Sequence, residues 1–453
     1  MHPWPRQVLK FALFAWPVLL LSGFLYRPQT TDVTPMSSIK RAEEIATVLL
    51  QEHGLRLKNM TPIQSLWAGY GQISRVTATA DISESVSSDT NDGLKPHEEH
   101  SFVLKLITPP PARANDEGHT RKILSYQVEQ YFYRHLAPQL PSSLPVARCL
   151  ASVNQHDEDG TSTTAMMLSD LKQQFPVAGE KRNVLTSTQV YAALDWLSGF
   201  HGFWWSRVED LDRLSLILPP LEEVRHDGQD IHRRTVWLNG GYTYLSTRRK
   251  EFADLAADDD SEWSTILTQQ MKITNMSISE MVANLLAPVI SGSSPANRYQ
   301  TLIHGDVKSE NLFTSESGEE VAFYDFQYTG LGLGVCDLAK LFTCSVPLSM
   351  LVEEKDISHE LSMQNGERVL LERYRRRLKD VGQREYEWNT FVLHWEIALI
   401  DWLRFQASWG FWGNTEWLEA RARSILKDPH WKKTVVSSVL DVDEVKQGDH
   451  TIS

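Results

Sequence analysis

The stretch HGDVKSEN, His304–Asn311, followed by YDFQ, Tyr324–Gln327, constrains this chain more than any other feature. It sets Asp306 five residues before Asn311, and Asp325 fourteen residues beyond that. Between them the apolar run Val321–Tyr324 reads as a short strand. Phosphoryl transfer from a nucleotide needs these parts. One carboxylate accepts the proton of the attacking hydroxyl, while an Asn and a second carboxylate hold the magnesium ions that bridge the phosphates. Either motif alone is a weak signal. The two at this spacing, on a loop–strand–loop pattern, are specific.

The motif resembles the catalytic centre of the aminoglycoside phosphotransferase and choline kinase-like family, relatives of the protein kinases. That family reads HGD where protein kinases read HRD, and this chain has HGD, with DFQ in place of DFG. The resemblance covers most of the chain from about residue 60 onwards. It implies an α+β, two-lobed protein kinase-like fold with a small β-rich lobe and a larger, mainly helical one. It also implies ATP and Mg2+ as cofactors, Asp306 as the base, Lys308 within reach of the γ-phosphate, and Asn311 and Asp325 as metal ligands. The lobes are expected over residues 37–168 and 169–440, with an N-terminal segment over 1–36 and a polar tail over 441–453.

A chain of 453 residues is long enough for two lobes with real cores. Its net charge of −13 argues against nucleic acid or an anionic membrane surface as the main partner. The three cysteines, Cys149, Cys336 and Cys344, form no CxxC pair, which favours a reducing compartment without structural zinc. The catalytic domain is therefore expected in the cytosol. Near the N-terminus, Arg6 and Lys10 precede an apolar run, Phe11–Tyr26, that is short for a span of about 20 residues. Three readings stay open: membrane attachment through residues 8–26, a signal or targeting peptide, and a mistaken gene start with Met36 as the true first residue.

Beyond a polar linker, Ser38 is placed to cap a helix with apolar residues at Ile39, Ala42, Ile45, Ala46, Leu49 and Leu50. Leu66–Ala80 reads as strand, glycine turn, strand, and Ser83–His100 as a polar hairpin excursion. Ser101–Ile107 alternates as a strand, a helix follows over Thr120–Leu136, and Val146–Leu150 and Thr164–Leu168 read as the remaining strands. MMLSDL, Met166–Leu171, turns from apolar to polar, as a segment joining two lobes and lining the adenine side would. Further helices are expected over Thr188–Trp205, Leu370–Lys379 and Phe391–Ala407. Glu251–Trp263 reads as an acidic loop or a capped helix start, and the tail after Val436 as frayed.

Lys105 lies in a strand among Val103, Leu104, Leu106 and Ile107. By itself it reads as an outward-facing strand lysine, since lysine is rarely buried unpaired. With the downstream motif it resembles the kinase strand lysine that grips the α- and β-phosphates. Its acidic partner is then expected to be Glu129 in the following helix, with Glu117 as runner-up. Gly69 and Gly71, followed by Ser74, read as a phosphate-covering loop, against the plainer reading of a hairpin turn. There is no GxxxxGK[ST] sequence, so a P-loop fold is disfavoured. His304 is expected to orient its loop by hydrogen bonds. The resemblance assigns Asp337 to bracing the catalytic loop, and a helix N-cap is the rival role.

The acceptor is the least specified part. Trp395, Trp402 and Trp409 recur every seven residues, with Trp412 and Trp417 beyond. They read either as a core stripe or as an aromatic box for an ammonium group, with Glu396 or Asp401 adding charge. The function these features favour is ATP- and Mg-dependent phosphorylation of a hydroxyl on a small molecule, an amino alcohol among the candidates. A catalytically inactive nucleotide-binding or scaffold protein is the alternative. A protein kinase is a third reading, weakened because no APE-like segment follows DFQ.

Overall fold

The computed structural model describes residues 36–80, 99–111, 116–156, 162–226, 234–288, 298–353 and 356–449. The apolar run Phe11–Tyr26 and most of the expected hairpin excursion, through residue 98, lie outside them. Among the described residues, no helix is long and apolar enough to cross a membrane. The chain divides into two compact units, Met1–Ile45 and Ala46–Ser453, with the boundary inside α1 (Met36–Gln51). The site belongs wholly to the second unit.

That unit has two lobes. The first is built on a five-stranded antiparallel sheet with spatial order β1-β2-β3-β5-β4. Its strands are β1 (Leu55–Ser65), β2 (Gly71–Ala80), β3 (Glu99–Ile107), β4 (Cys149–His156) and β5 (Ser162–Ser169). The strand before the glycine turn starts earlier than its sequence suggests. β1 is a largely exposed edge, and the apolar alternation of LRLKNMTPIQS lapses after Leu55 and Leu57. β4 likewise begins three residues later than the apolar run Val146–Leu150 predicts and continues through Asn154 and Gln155. It too is an edge strand, and edges tolerate polar side chains.

Helix α2 (Glu117–Tyr131) crosses this sheet, capped by Asp116, whose carboxylate accepts from His119 N. It starts one turn before the expected Thr120 and passes into a π turn at Phe132–Leu136. β5 then leads to Asp170, which accepts from Arg75 Nε at 2.8 Å and from Ser101 Oγ at 2.8 Å. The joint between the lobes is thereby tied to β2 and β3.

The second lobe is mainly helical. A short strand, β6 (Val177–Ala178), precedes α3 (Ser187–Trp205), whose start carries a reciprocal Thr186–Gln189 capping box. The acidic segment resolves into two helices. After α4 (Pro220–Glu223) come α5 (Arg249–Ala256) and α6 (Glu262–Thr268), the latter capped by Ser261. A β7 (Gln270–Met271) and β8 (Met276–Ser277) pair leads into α7 (Ile278–Leu286). The catalytic segment follows as β9 (Gln300–Ile303), β10 (Leu312–Thr314), β11 (Val321–Phe323) and β12 (Gly330–Leu333). It ends in α8 (Val335–Cys344).

Four long helices close the chain: α9 (Asn365–Gly382), α10 (Trp388–Trp409), α11 (Thr415–Lys427) and α12 (Pro429–Asp449). The tail expected to fray after Val436 is helical instead as far as Asp449, the last described residue. Val435 and Val439, one turn apart, are both buried and hold α12 in place. The cysteines are free thiols.

Candidate active site

The loop 304–311 leaves β9 and reaches β10 with much of its backbone held by buried side chains. Asp337, fully buried in α8, accepts from His304 N at 2.7 Å and from Gly305 N at 3.0 Å. His201 Nε2 lies 3.2 Å from the same carboxylate, and its Nδ1 is 2.8 Å from the Tyr374 hydroxyl. Burial would raise the Asp337 carboxyl, but the His201 bond and the neighbouring cations outweigh it and hold the group below its ordinary value. The N-cap of α8 is Gly334, so Asp337 faces the loop and does not cap its helix. Lys340, one turn on, donates to Gly305 O at 2.6 Å. Both polar backbone groups of Gly305 are thus clamped from α8.

Gly305 has φ +85°, and a Cβ there would sit 2.2 Å from Tyr328 O. The backbone around Tyr328 and Gly241 occupies the space a side chain would need, so the glycine of HGD is a packing requirement. His304 ties the two motifs together. Its Nδ1 accepts from Asp306 N at 3.3 Å, and its Nε2 donates to Tyr324 O at 2.9 Å. Burial pulls the imidazole below its usual range despite the nearby carboxylates, which fits a neutral ring with one donor and one acceptor.

Asp306 is nearly buried. Asn311 Nδ2 donates to its backbone O at 2.8 Å and to Oδ2 at 3.0 Å. Lys308 Nζ stands 3.1 Å from the same Oδ2 and 3.2 Å from Glu310 Oε1. Burial opposes that lysine's charge, but the two carboxylates win and hold its amine well above the usual range. The Asn311 amide nitrogen is committed to Asp306, which leaves the amide oxygen as the atom able to hold a cation.

Asp325 has φ +64°, a left-handed conformation that Asp tolerates better than most residues. Its Oδ1 is 3.2 Å from Lys105 Nζ, and Glu129 Oε2 is 2.6 Å from the same nitrogen. Lys105 is buried. Burial works against its charge, yet Asp325 and Glu129 together hold the amine well above its usual range. Burial pushes the Glu129 carboxyl up, with Lys105 opposing it. Glu117 lies instead in the first turn of α2.

Phe326 anchors the loop carrying Asp325 in the core, stacked on Phe132 with ring centroids 3.7 Å apart. Gln327, in the place of the DFG glycine, accepts from Ser125 Oγ at 3.3 Å and, through its backbone, from Trp237 Nε1 at 2.8 Å. The helix carrying Glu129 is therefore linked to the loop carrying Asp325 by more than the lysine.

The glycine loop closes through Leu66 N to Gly71 O at 2.8 Å, with Ala68 and Gly69 at positive φ. At Gly71 a Cβ would lie 1.9 Å from Leu106 O, so this glycine serves the approach of β2 to β3. Ser74 does not join the site. It pairs with Leu104, while Lys105 pairs with Ile73 and Met166, so Ser74 points to the opposite, buried face of the sheet. The residue that links the loop to the helix is Tyr70, which no motif marked. Its hydroxyl is 2.7 Å from His119 Nδ1, and Lys122 Nζ lies 4.4 Å from its ring centre.

Beside Asp306 opens a cavity of about 450 Å³. Tyr242, Tyr328, Trp402, Trp409, Phe411 and Trp412 supply aromatic faces, and Arg121, Lys122, Lys181, Arg182, Arg248, Lys308 and Lys340 supply cations. Its carboxylates are Asp306 and Glu310. A second cavity of about 280 Å³ shares Lys340 and Trp402 with it.

The tryptophan stripe splits. Trp395 and Trp417 are fully buried, and Trp395 donates to Glu367 at 2.8 Å. Trp402, Trp409 and Trp412 line the cavity. Glu396 pairs with Arg421 and Asp401 with Arg404, so neither closes an ammonium box there.

The family model described as ecdysteroid kinase-like matches residues 71–358, from β2 to beyond the loop carrying Asp325. This chain belongs to the ecdysteroid kinase-like family. Among curated proteins none matches it. Solved structures similar to this ecdysteroid kinase-like protein include a macrolide 2′-phosphotransferase from Brachybacterium faecium, 12% identical over 87% of this chain and 98% of that one, with a TM-score of 0.39. Choline kinase from Cryptosporidium parvum is 11% identical over 90% and 97% of the two chains, TM-score 0.41. Choline kinase from Streptococcus pneumoniae is 13% identical over 88% and 99%, TM-score 0.36.

Proposed function

We propose that this protein phosphorylates a hydroxyl of a small molecule at the expense of ATP, with magnesium. One observation carries the reading: Asp306 stands at the wall of an aromatic-lined cavity, with Asn311 and Lys308 on its carboxylate. Asp306 is placed to take the proton from an acceptor hydroxyl as its oxygen attacks phosphorus. Lys308 balances the negative charge at that carboxylate. Lys105, positioned by Glu129, would bind the nucleotide's phosphates, and Asn311 and Asp325 would hold magnesium.

Two oxygen donors suit an ion that takes its remaining ligands from water and phosphate. Among the described residues, no group of three or more His, Cys, Asp or Glu could hold a metal alone. Bound magnesium–ATP supplies the phosphoryl group and neutralises the charge that develops on it.

A small acceptor is favoured over a protein by the chain's path. From Gln327 it runs almost directly into β12, paired with β9, and then into α8. That leaves little room for a protein-docking segment. An amino alcohol would find only Asp306 and Glu310 as carboxylates in the cavity wall. Intact Asp306, Asn311, Asp325 and Lys105 weigh against an inactive scaffold.

The test is thermal stability with magnesium and ATP. A ligand at about 100 times its dissociation constant adds about 2.7 kcal/mol. A magnesium-dependent rise that Asp325→Ala loses is the expected result, followed by labelled-phosphate transfer to a panel of alcohols. No rise at millimolar ATP would leave the reading without its cofactor.

A further inference from the structure

The acceptor cavity is cationic, although the whole chain carries −13. Magnesium–ATP is the obvious anion to explain it, but Lys105, Asn311 and Asp325 do not line this cavity. The transferring phosphate would meet this cavity at Lys308, and the cations farther from Asp306 face the space where an acceptor would lie.

Two of the cations come from distant parts of the chain and meet. Arg121, in the first turns of α2, donates from Nη1 to Thr247 O at 3.4 Å, which brings its guanidinium beside the residue preceding Arg248. Arg248 is 4% exposed. Its Nε donates to Tyr242 O at 2.9 Å, and its guanidinium carbon lies 5.2 Å from the Trp409 ring centre and 5.6 Å from that of Phe405. Its carboxylate partner, Glu251, lies 3.3 Å away and is not part of the cavity wall. Arg121 has a carboxylate near it in Glu117, one turn earlier on α2, which also feels Arg248 and is not part of the cavity wall.

Burial, and then Arg121, lower the Arg248 pKa, and Tyr328 feels both guanidiniums together with Asp306. Glu117 and Glu251 lie outside the cavity wall, so the two guanidiniums that line it remain open to an anion on that side. A fixed, stacked Arg loses little freedom when it binds one.

We infer that the acceptor is an alcohol carrying a second, anionic group, a carboxylate, sulfate or phosphate, which Arg248 and Arg121 hold while Asp306 receives the hydroxyl. This rests on the phosphotransferase reading for its last step, but the anion preference can be measured without turnover. The aromatic faces would cover a flat or alicyclic skeleton between the two ends. Arg248 and Arg121 then act on specificity and not on the reacting atoms.

The test is calorimetric titration of the full chain with 6-(hydroxymethyl)-2-naphthoate and its primary amide, which differ only in the charged group. The acid should bind at least about tenfold more tightly than the amide. Arg248→Met and Arg121→Met should each bring the acid to within about twofold of the amide, leaving the amide unchanged. Arg121→Met keeps the test decisive if loss of the Arg248 bond to Tyr242 disturbs folding.

Equal binding of acid and amide overturns the inference. So does an equal loss of both ligands in the variants, which would indicate shape alone. A loss of ATP affinity with the acid preference intact would assign the cations to the nucleotide, and no saturable acid binding up to about 10 mM also overturns the inference. Binding preference and phosphate transfer, measured side by side on the wild type, separate the two readings. Preference retained with transfer never seen in wild type removes only the phosphotransferase reading. Transfer seen with no preference removes only this one.

Discussion

The loop 304–311 and the aromatic-lined cavity meet at residues 306–310, but the loop and the rest of the cavity wall are built by opposite means. The loop is a contiguous segment whose backbone is fixed by buried side chains: Asp337 on two amides, Lys340 on a carbonyl, and His304 bridging to Tyr324. The cavity is assembled from side chains near residues 121, 182, 248, 328 and 402–412, brought together by the fold. Reacting groups must be held to a fraction of an ångström, which favours a short segment braced on all sides. A binding surface tolerates looser placement, so it can draw on residues far apart in the chain. Changes in the loop should therefore abolish the chemistry or the fold, and changes in the cavity should alter only which acceptor is used.

The largest expected effect is that of Asp306→Asn. It should lower turnover roughly 10³- to 10⁴-fold, read by ADP release with a transferable alcohol. Magnesium–ATP should stabilise the variant as it does the wild type, because Lys105, Asn311 and Asp325 remain. Turnover within tenfold of wild type would detach Asp306 from the chemistry. Next comes Asp337→Ala, which leaves two buried amides and His201 without their acceptor. It should cost about 3–5 kcal/mol in denaturant unfolding, far more than a change at the cavity wall. A loss under about 1 kcal/mol would mean the loop holds its shape without this brace.

This contrast also explains what could be read from the sequence. HGD and DFQ lie in unbroken strings, so Asp306, Asn311 and Asp325 were legible as candidates, and Lys105 followed only when its strand was read together with them. Ser74 was placed by nearness in sequence to Gly71, but strand alternation turns it to the other face from Lys105. Arg121 and Arg248 gave no signal, because 126 intervening residues are bridged only in the fold. The seven-residue tryptophan spacing pointed to one helix face, yet it could not tell where along α10 the core ends and the cavity begins. That limit is physical: periodicity records which way a side chain points, and only packing decides what it meets.

α10 carries both kinds of environment, and pH should separate them. Near its start, His394 lies beside the Tyr386 hydroxyl and stacks edge-on with Tyr299. Burial lowers its pKa to about 4. An unfolded histidine titrates near 6.5, so above that value both states are neutral and the stabilising contribution is complete. As pH falls from about 6.5 towards 4, the unfolded chain takes up the proton first and stability declines, by no more than about 3 kcal/mol. His394→Gln should flatten that slope while sparing acceptor affinity near neutrality. An unchanged slope would place the acid sensitivity elsewhere.

The smallest expected effect lies at the other end of the same helix. Trp409 is 59% exposed, whereas Trp395, two heptads earlier, has no exposed surface. Trp409→Ala removes a ring that stacks with Phe405 and lies over Arg248, at the mouth of the cavity. It should raise the acceptor KM a few-fold, equivalent to about 1 kcal/mol of lost stacking, with kcat and unfolding free energy nearly unchanged. Trp395→Ala opens a hole in the core and leaves Glu367 short of a donor, so it should cost about 3–5 kcal/mol of stability and weaken every acceptor alike. If Trp409→Ala instead destabilised the protein as much as Trp395→Ala, the stripe would be core along its whole length. The cavity would then lose the aromatic wall on which a flat acceptor depends.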